Sequence, residues 1–117
     1  MSKPYIIAVD FDGTLCSYLY PAIGVPNKRL IRYLLKRKQK GAILVLWTCR
    51  GGQELVDACE WCEQQGLIFD SVNANPEAAI AYHNGGDPRK IGYDELIDDK
   101  VNRRWSRPFK RKRWIHD

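Results

Sequence analysis

Residues 5–10, Tyr-Ile-Ile-Ala-Val-Asp, and residues 42–47, Ala-Ile-Leu-Val-Leu-Trp, are short β-prone apolar runs, the first broken only by the Asp10 that ends it. A strand with one wet face alternates apolar and polar side chains. A strand apolar on both faces is covered on both, which is the condition of a parallel sheet sandwiched between helices. Helical patterns separate the runs. Leu30, Ile31, Leu34 and Leu35 form a stripe after Asn27, a good N-cap, and Gly41 ends it. A second helix is predicted over about 53–65, with Leu55, Val56, Cys59 and Cys62 inward and Gly66 as its stop. Residues 67–72 are predicted as a third strand. A short helix is predicted from near Pro76 to Tyr82, and a fourth strand over about 95–97. Strand–helix alternation implies right-handed crossovers and an α/β, Rossmann-like, three-layer sandwich with a mostly parallel sheet. Residues 15–26, broken by Pro21, Gly24 and Pro26, are read as a loop or small flap.

With 117 residues, 44% hydrophobic and 28% charged, the chain has room for one globular domain and little more. No apolar run approaches the roughly 20 residues that span a bilayer, and no signal segment follows the N-terminus. A cytoplasmic protein without membrane contact is expected. The four cysteines are expected as free thiols, and the Cys59-x-x-Cys62 pair as helix packing, because no second ligand pair accompanies it. Trp47 and Trp61 are assigned to core or rim packing. Charge divides the chain. Residues 1–99 hold 11 Lys+Arg and 13 Asp+Glu, and residues 100–117 hold 8 and 1. The reading is a body over 1–101 and a basic, aromatic tail over 102–117. Trp105, Phe109 and Trp114 alternate with cations there, a composition that suits a phosphodiester backbone and stacked bases.

Three of the predicted strands end in reactive groups. The first ends in Asp10-Phe11-Asp12-Gly13-Thr14, the second in Thr48-Cys49-Arg50, and the fourth in Asp98-Asp99, with Arg89-Lys90 upstream. In a parallel sheet these ends share one edge, where open α/β folds bind ligands. Asp10, Asp98 and Asp99 make an oxygen-rich set suited to Mg²⁺. Lys90, the Thr48 hydroxyl, backbone N–H groups near Gly13, and Arg50 are candidates to hold a phosphate. One carboxylate can attack phosphorus and another can move the proton. Tyr18 and Tyr20 in the flap are candidate substrate contacts.

Asp-Phe-Asp-Gly-Thr at 10–14, a strand ending in Thr48, Lys90, and Ile-Asp-Asp at 97–99 occur in one order. In these elements the chain resembles the haloacid dehalogenase (HAD) superfamily of phosphohydrolases. The resemblance implies that Asp10 is the nucleophile and Asp12 the general acid/base. It implies that Thr48 and Lys90 orient and neutralise the phosphoryl group. It implies Mg²⁺ held by Asp10, the Asp12 backbone carbonyl, Asp98 and Asp99. The spacing of the elements leaves no room for a cap domain, so the chain resembles the capless small hydrolase-like proteins of bacteria and phages. The expected function is hydrolysis of a phosphomonoester, at nucleic-acid ends or in nucleotides. The alternative is a nucleic-acid-binding accessory protein that uses 102–117 and carries a vestigial phosphatase site.

Overall fold

The computed structural model describes residues 3–100. Four strands form one parallel sheet: β1 (Ile6–Val9), β4 (Ile43–Leu46), β5 (Ser71–Val72) and β6 (Glu95–Ile97), in the order β5-β4-β1-β6. Ile7 pairs with Leu44 on one side and Glu95 on the other, and Val9 with Leu46 and Ile97. This register lines up side chains of one parity on each face. Ile7, Val9, Leu44, Leu46 and Ile97 share a core with Leu30, Ile31 and Leu34 of α1 (Lys28–Gln39) and Ala58 and Cys62 of α2 (Gly52–Gln64). Ile6, Ala8 and Val45 pack on the other face with Ile91 and with Ala79 of α3 (Glu77–Tyr82). The result is the expected three-layer α/β sandwich with a Rossmann-like parallel sheet.

Strand order positions the site. From β1 the chain steps to β4 and on to β5, with α1 and α2 on one face. It then crosses back beyond β1 to β6, with α3 on the opposite face. The order reverses between β1 and β6, and the carboxyl ends of those two strands border the crevice that such a reversal opens.

The helix ends follow the sequence reading. Asn27 Oδ1 accepts the Leu30 N–H at 3.2 Å, and its Nδ2 donates to the Thr14 carbonyl at 3.0 Å, so the cap of α1 also ties down the loop after β1. Gly41 and Gly66 take left-handed φ values of 100° and 86° just past α1 and α2.

Three expectations are corrected. Residues 15–26 form an antiparallel hairpin, β2 (Cys16–Leu19) and β3 (Ala22–Pro26). Its prolines stand at the turn and at the last strand residue, where no ladder N–H is lost. Its irregular pairing comes from Ser17, whose Oγ accepts the Val25 N–H at 2.7 Å. Only Ser71 and Val72 of the third predicted strand pair, because the Asp70 carboxylate takes the Leu44 N–H at 2.8 Å where a further rung would lie. On α2 the inward set is Leu55, Ala58, Cys59 and Cys62, the i, i+3, i+4, i+7 spacing of one helix face, while Val56 is 48% exposed.

The four cysteines are free, and burial pushes the Cys62 thiol up to about 12, as befits a packing residue. Trp61 meets Phe11 edge-on, with centroids 5.5 Å apart. The segments between β1 and β4 and between β4 and β6 are taken up by the hairpin, the helices and β5, so no cap domain is present among the described residues. No helix among them is long and apolar enough to cross a membrane. The tail at 102–117, with its predicted nucleic-acid contact, lies outside the described residues, as does the last position of the 1–101 body.

Candidate active site

Asp10 follows β1 directly, and its N–H donates to the Ile97 carbonyl at 2.9 Å, locking the ends of β1 and β6 together. Asp98 and Asp99 follow β6. One carboxylate oxygen from each of Asp10, Asp98 and Asp99 lies within 4.8 Å of the other two, the only group of this kind among the described residues. Thr14 fixes the arrangement. Its buried hydroxyl donates to Asp10 Oδ2 at 3.1 Å and accepts the Asp99 N–H at 3.0 Å. Burial, then the neighbouring Asp98 charge, push the Asp10 carboxyl up to about 7, against hydrogen bonds from Phe11 and Thr14. Three hard oxygen donors on one spot, one of them costly to ionise alone, fit a small divalent cation.

Gly13 makes this packing possible. It sits at φ 81°, and a Cβ there would lie 2.7 Å from Asp99 Oδ2. Its N–H donates to the Cys16 carbonyl at 2.9 Å. Gly13 thus gives its space to a carboxylate and its own N–H to the hairpin, so its N–H is not among the backbone groups that could hold a phosphate.

Asp12 is not part of the carboxylate cluster. Its Oδ2 accepts from Arg50 Nε at 2.9 Å and its Oδ1 from Arg50 Nη2 at 2.8 Å. Arg50 is 3% exposed. Its Nη1 donates to the carbonyls of Pro21 and Glu54, each at 3.2 Å, and its Nη2 to that of Ala22 at 3.0 Å. All five guanidinium N–H donors are therefore engaged within the protein. Arg50 joins the β1 loop, the hairpin turn and the start of α2, and it has no donor left for a substrate phosphate, which corrects its expected binding role. The sequence could not show this, because Asp12 and Arg50 are 38 positions apart.

A cleft of about 430 Å³ lies over these groups, lined by Asp10, Asp12, Asp98 and Asp99, with Thr48, Lys100, Tyr18 and Tyr20 around them. Thr48 is half-buried there. Its hydroxyl accepts the Arg50 N–H at 3.1 Å, and its own N–H donates to Asn73 Oδ1 at 2.8 Å.

Lys90 is not among the lining residues. It borders a separate cleft of about 270 Å³ with Lys3, Ile6, Ala79 and Asp94, toward the amino end of β1. The physical reason is Asn75, whose Nδ2 donates to the carbonyls of Pro88 and Lys90, each at 3.0 Å, and whose Oδ1 accepts the Gly92 N–H at 2.8 Å. That brace holds segment 88–92 beside α3, away from the acidic cleft. Lys100, the residue after Asp98-Asp99, lines the acidic cleft instead, and its N–H donates to Asp98 Oδ1 at 2.8 Å. Its place immediately beyond a strand-end acid pair was the available sequence signal.

No family model and no curated protein matches the chain. Among solved structures, a conserved protein from Bacteroides thetaiotaomicron is 33% identical over 97% of this chain and 96% of that chain, with a TM-score of 0.72. With that identity over nearly the whole of both chains, this protein belongs to the same family as the conserved Bacteroides protein.

Proposed function

We propose that the chain is a phosphomonoester hydrolase of the capless haloacid dehalogenase type, working through an aspartyl-phosphate on Asp10. The observation that carries this reading is the meeting of Asp10, Asp98 and Asp99 within 4.8 Å at the strand-order reversal, beside Thr48 and Lys100. Asp10, Asp98 and Asp99 would hold Mg²⁺, which supplies positive charge to a bound phosphate and favours the ionised Asp10 carboxylate.

Thr14 fixes the Asp10 carboxylate for attack on phosphorus. The new bond joins an Asp10 oxygen to phosphorus as the ester P–O bond breaks, and the leaving oxygen takes its proton from solvent water in the cleft, to which Asp12 later returns the one it removes from the attacking water. Thr48, at the wall of the cleft, orients the phosphoryl oxygens, and the Lys100 ammonium offsets their charge. Water then attacks the phosphorus of the acyl phosphate, releases orthophosphate and restores the carboxylate. Asp12 is the base for that water. Each of its oxygens keeps a lone pair beyond the one given to Arg50, so it can take a proton while the ion pair holds it in place.

Phosphate release from an aryl phosphate tests the reading. Wild-type protein with Mg²⁺ is expected to turn over and to yield a hydroxylamine-sensitive phosphoenzyme. Asp10→Asn should lower the rate by at least about 10³-fold, the scale of losing a nucleophile. Turnover by Asp10→Asn at the wild-type rate, or full activity in excess chelator, would rule the mechanism out.

A further inference from the structure

The hairpin carries two rings that the metal and phosphate chemistry does not need. Tyr18 and Tyr20, two residues apart, line the acidic cleft with Asp10 and Asp12. They keep 56% and 48% of their surface in water. Paired exposed aromatics at the mouth of a charged cleft are an unusual use of apolar surface, and such patches mark binding sites.

Tyr20 also stands on a fixed support. The Arg50 guanidinium carbon lies 5.0 Å from the Tyr20 ring centroid and 4.9 Å from that of Phe11. The same guanidinium holds the Pro21 and Ala22 carbonyls of the turn that follows Tyr20. A wall anchored this way loses little freedom when a ligand packs on it.

We propose that Tyr18 and Tyr20 form a stacking wall for the planar base of a nucleoside monophosphate whose phosphate enters the acidic cleft. The phosphate end of this assignment rests on the phosphatase reading, whereas the ring contact stands on the hairpin alone. A ligand anchored by its phosphate beside Asp10 must extend past the cleft mouth, and the tyrosines stand among the lining residues there. A volume of about 430 Å³ falls in the range of small-ligand sites. The lining favours one phosphate over three. It presents four carboxylates against Lys100 and an Arg50 whose donors are all engaged, and one divalent ion offsets only two of those charges. A neutral base meets no such repulsion.

The test is binding of the fluorescent nucleotide etheno-AMP to the full chain with Mg²⁺, read by stopped-flow fluorescence before turnover, with ribose 5-phosphate as the ringless competitor. In the wild type etheno-AMP should bind more tightly than ribose 5-phosphate. In the double variant Tyr18→Ala/Tyr20→Ala that preference should fall by about 10- to 100-fold, the span commanded by base stacking on aromatic side chains. The variant Tyr18→Phe/Tyr20→Phe keeps the rings and should keep the preference within about twofold, which separates stacking from damage to the hairpin. An unchanged preference in the alanine variant, or no preference in the wild type, overturns the wall. Ring-dependent binding without any phosphate release would leave the wall standing and remove the phosphatase reading.

Discussion

At Gly13 one missing Cβ decides whether two strand ends can share an ion. The position combines φ 81° with an Asp99 oxygen 2.7 Å from where a side chain would begin. In Gly13→Ala the left-handed backbone should cost about 1–2 kcal/mol of stability. The displaced Asp99 should weaken divalent binding by about tenfold, the effect of disturbing the support of a metal ligand. Calorimetric titration with Mg²⁺ or Mn²⁺ reads the second effect separately from a urea melt, and an unaltered affinity would remove Asp99 from the ligand set. The sequence already spelled the acids and the glycine. It did not spell that Gly13 faces Asp99, since that contact exists only once β1 and β6 lie side by side.

Elements were legible where the signal is local. β1 and β4 announce themselves by unbroken apolar runs, α1 by Asn27 and its Leu/Ile stripe, and both long helices by the glycines past their ends. The hairpin was not legible, because Ser17 takes over a ladder contact and the prolines read as breaks. Lys90 was misplaced because its segment is held by Asn75, fifteen positions away. The hairpin's attachment depends on Arg50, whose side chain is 1% exposed. Arg50→Ala leaves the Asp12 carboxylate without its partner and takes one donor from each of three carbonyls. Loss of one member of a buried pair costs about 3–5 kcal/mol. Urea unfolding should show a loss of that order, and limited proteolysis should show new cleavage between residues 16 and 26. A variant as stable as the wild type would mean that the hairpin is held by other contacts.

Over the whole molecule, the reversal of strand order places a hard-to-ionise carboxylate at the site and makes stability depend on pH. Asp10 titrates near 7 in the folded chain and at the ordinary 3.8 when unfolded. Between those values the folded state holds a proton that the unfolded state has lost, so stability falls as pH rises and levels off above about 7. A bound divalent ion favours the ionised form and opposes that fall. Urea midpoints in chelator should therefore be lower at about pH 8 than at about pH 5, excess Mg²⁺ should restore most at the higher pH, and Asp10→Asn should flatten the profile. Equal midpoints in chelator would contradict the burial of a charged Asp10. The same strand order sets where the chain is vulnerable to misassociation. β1 and β4, whose Ile-Ile-Ala-Val and Ile-Leu-Val-Leu stretches are the stickiest in the fold, lie inside the sheet, and the described borders are β5 with two residues and β6 with three. So short a border gives a neighbouring chain little to template on. The hazard moves from the native protein to partly opened states, in which loss of a three-residue strand is enough to bare a fully apolar one.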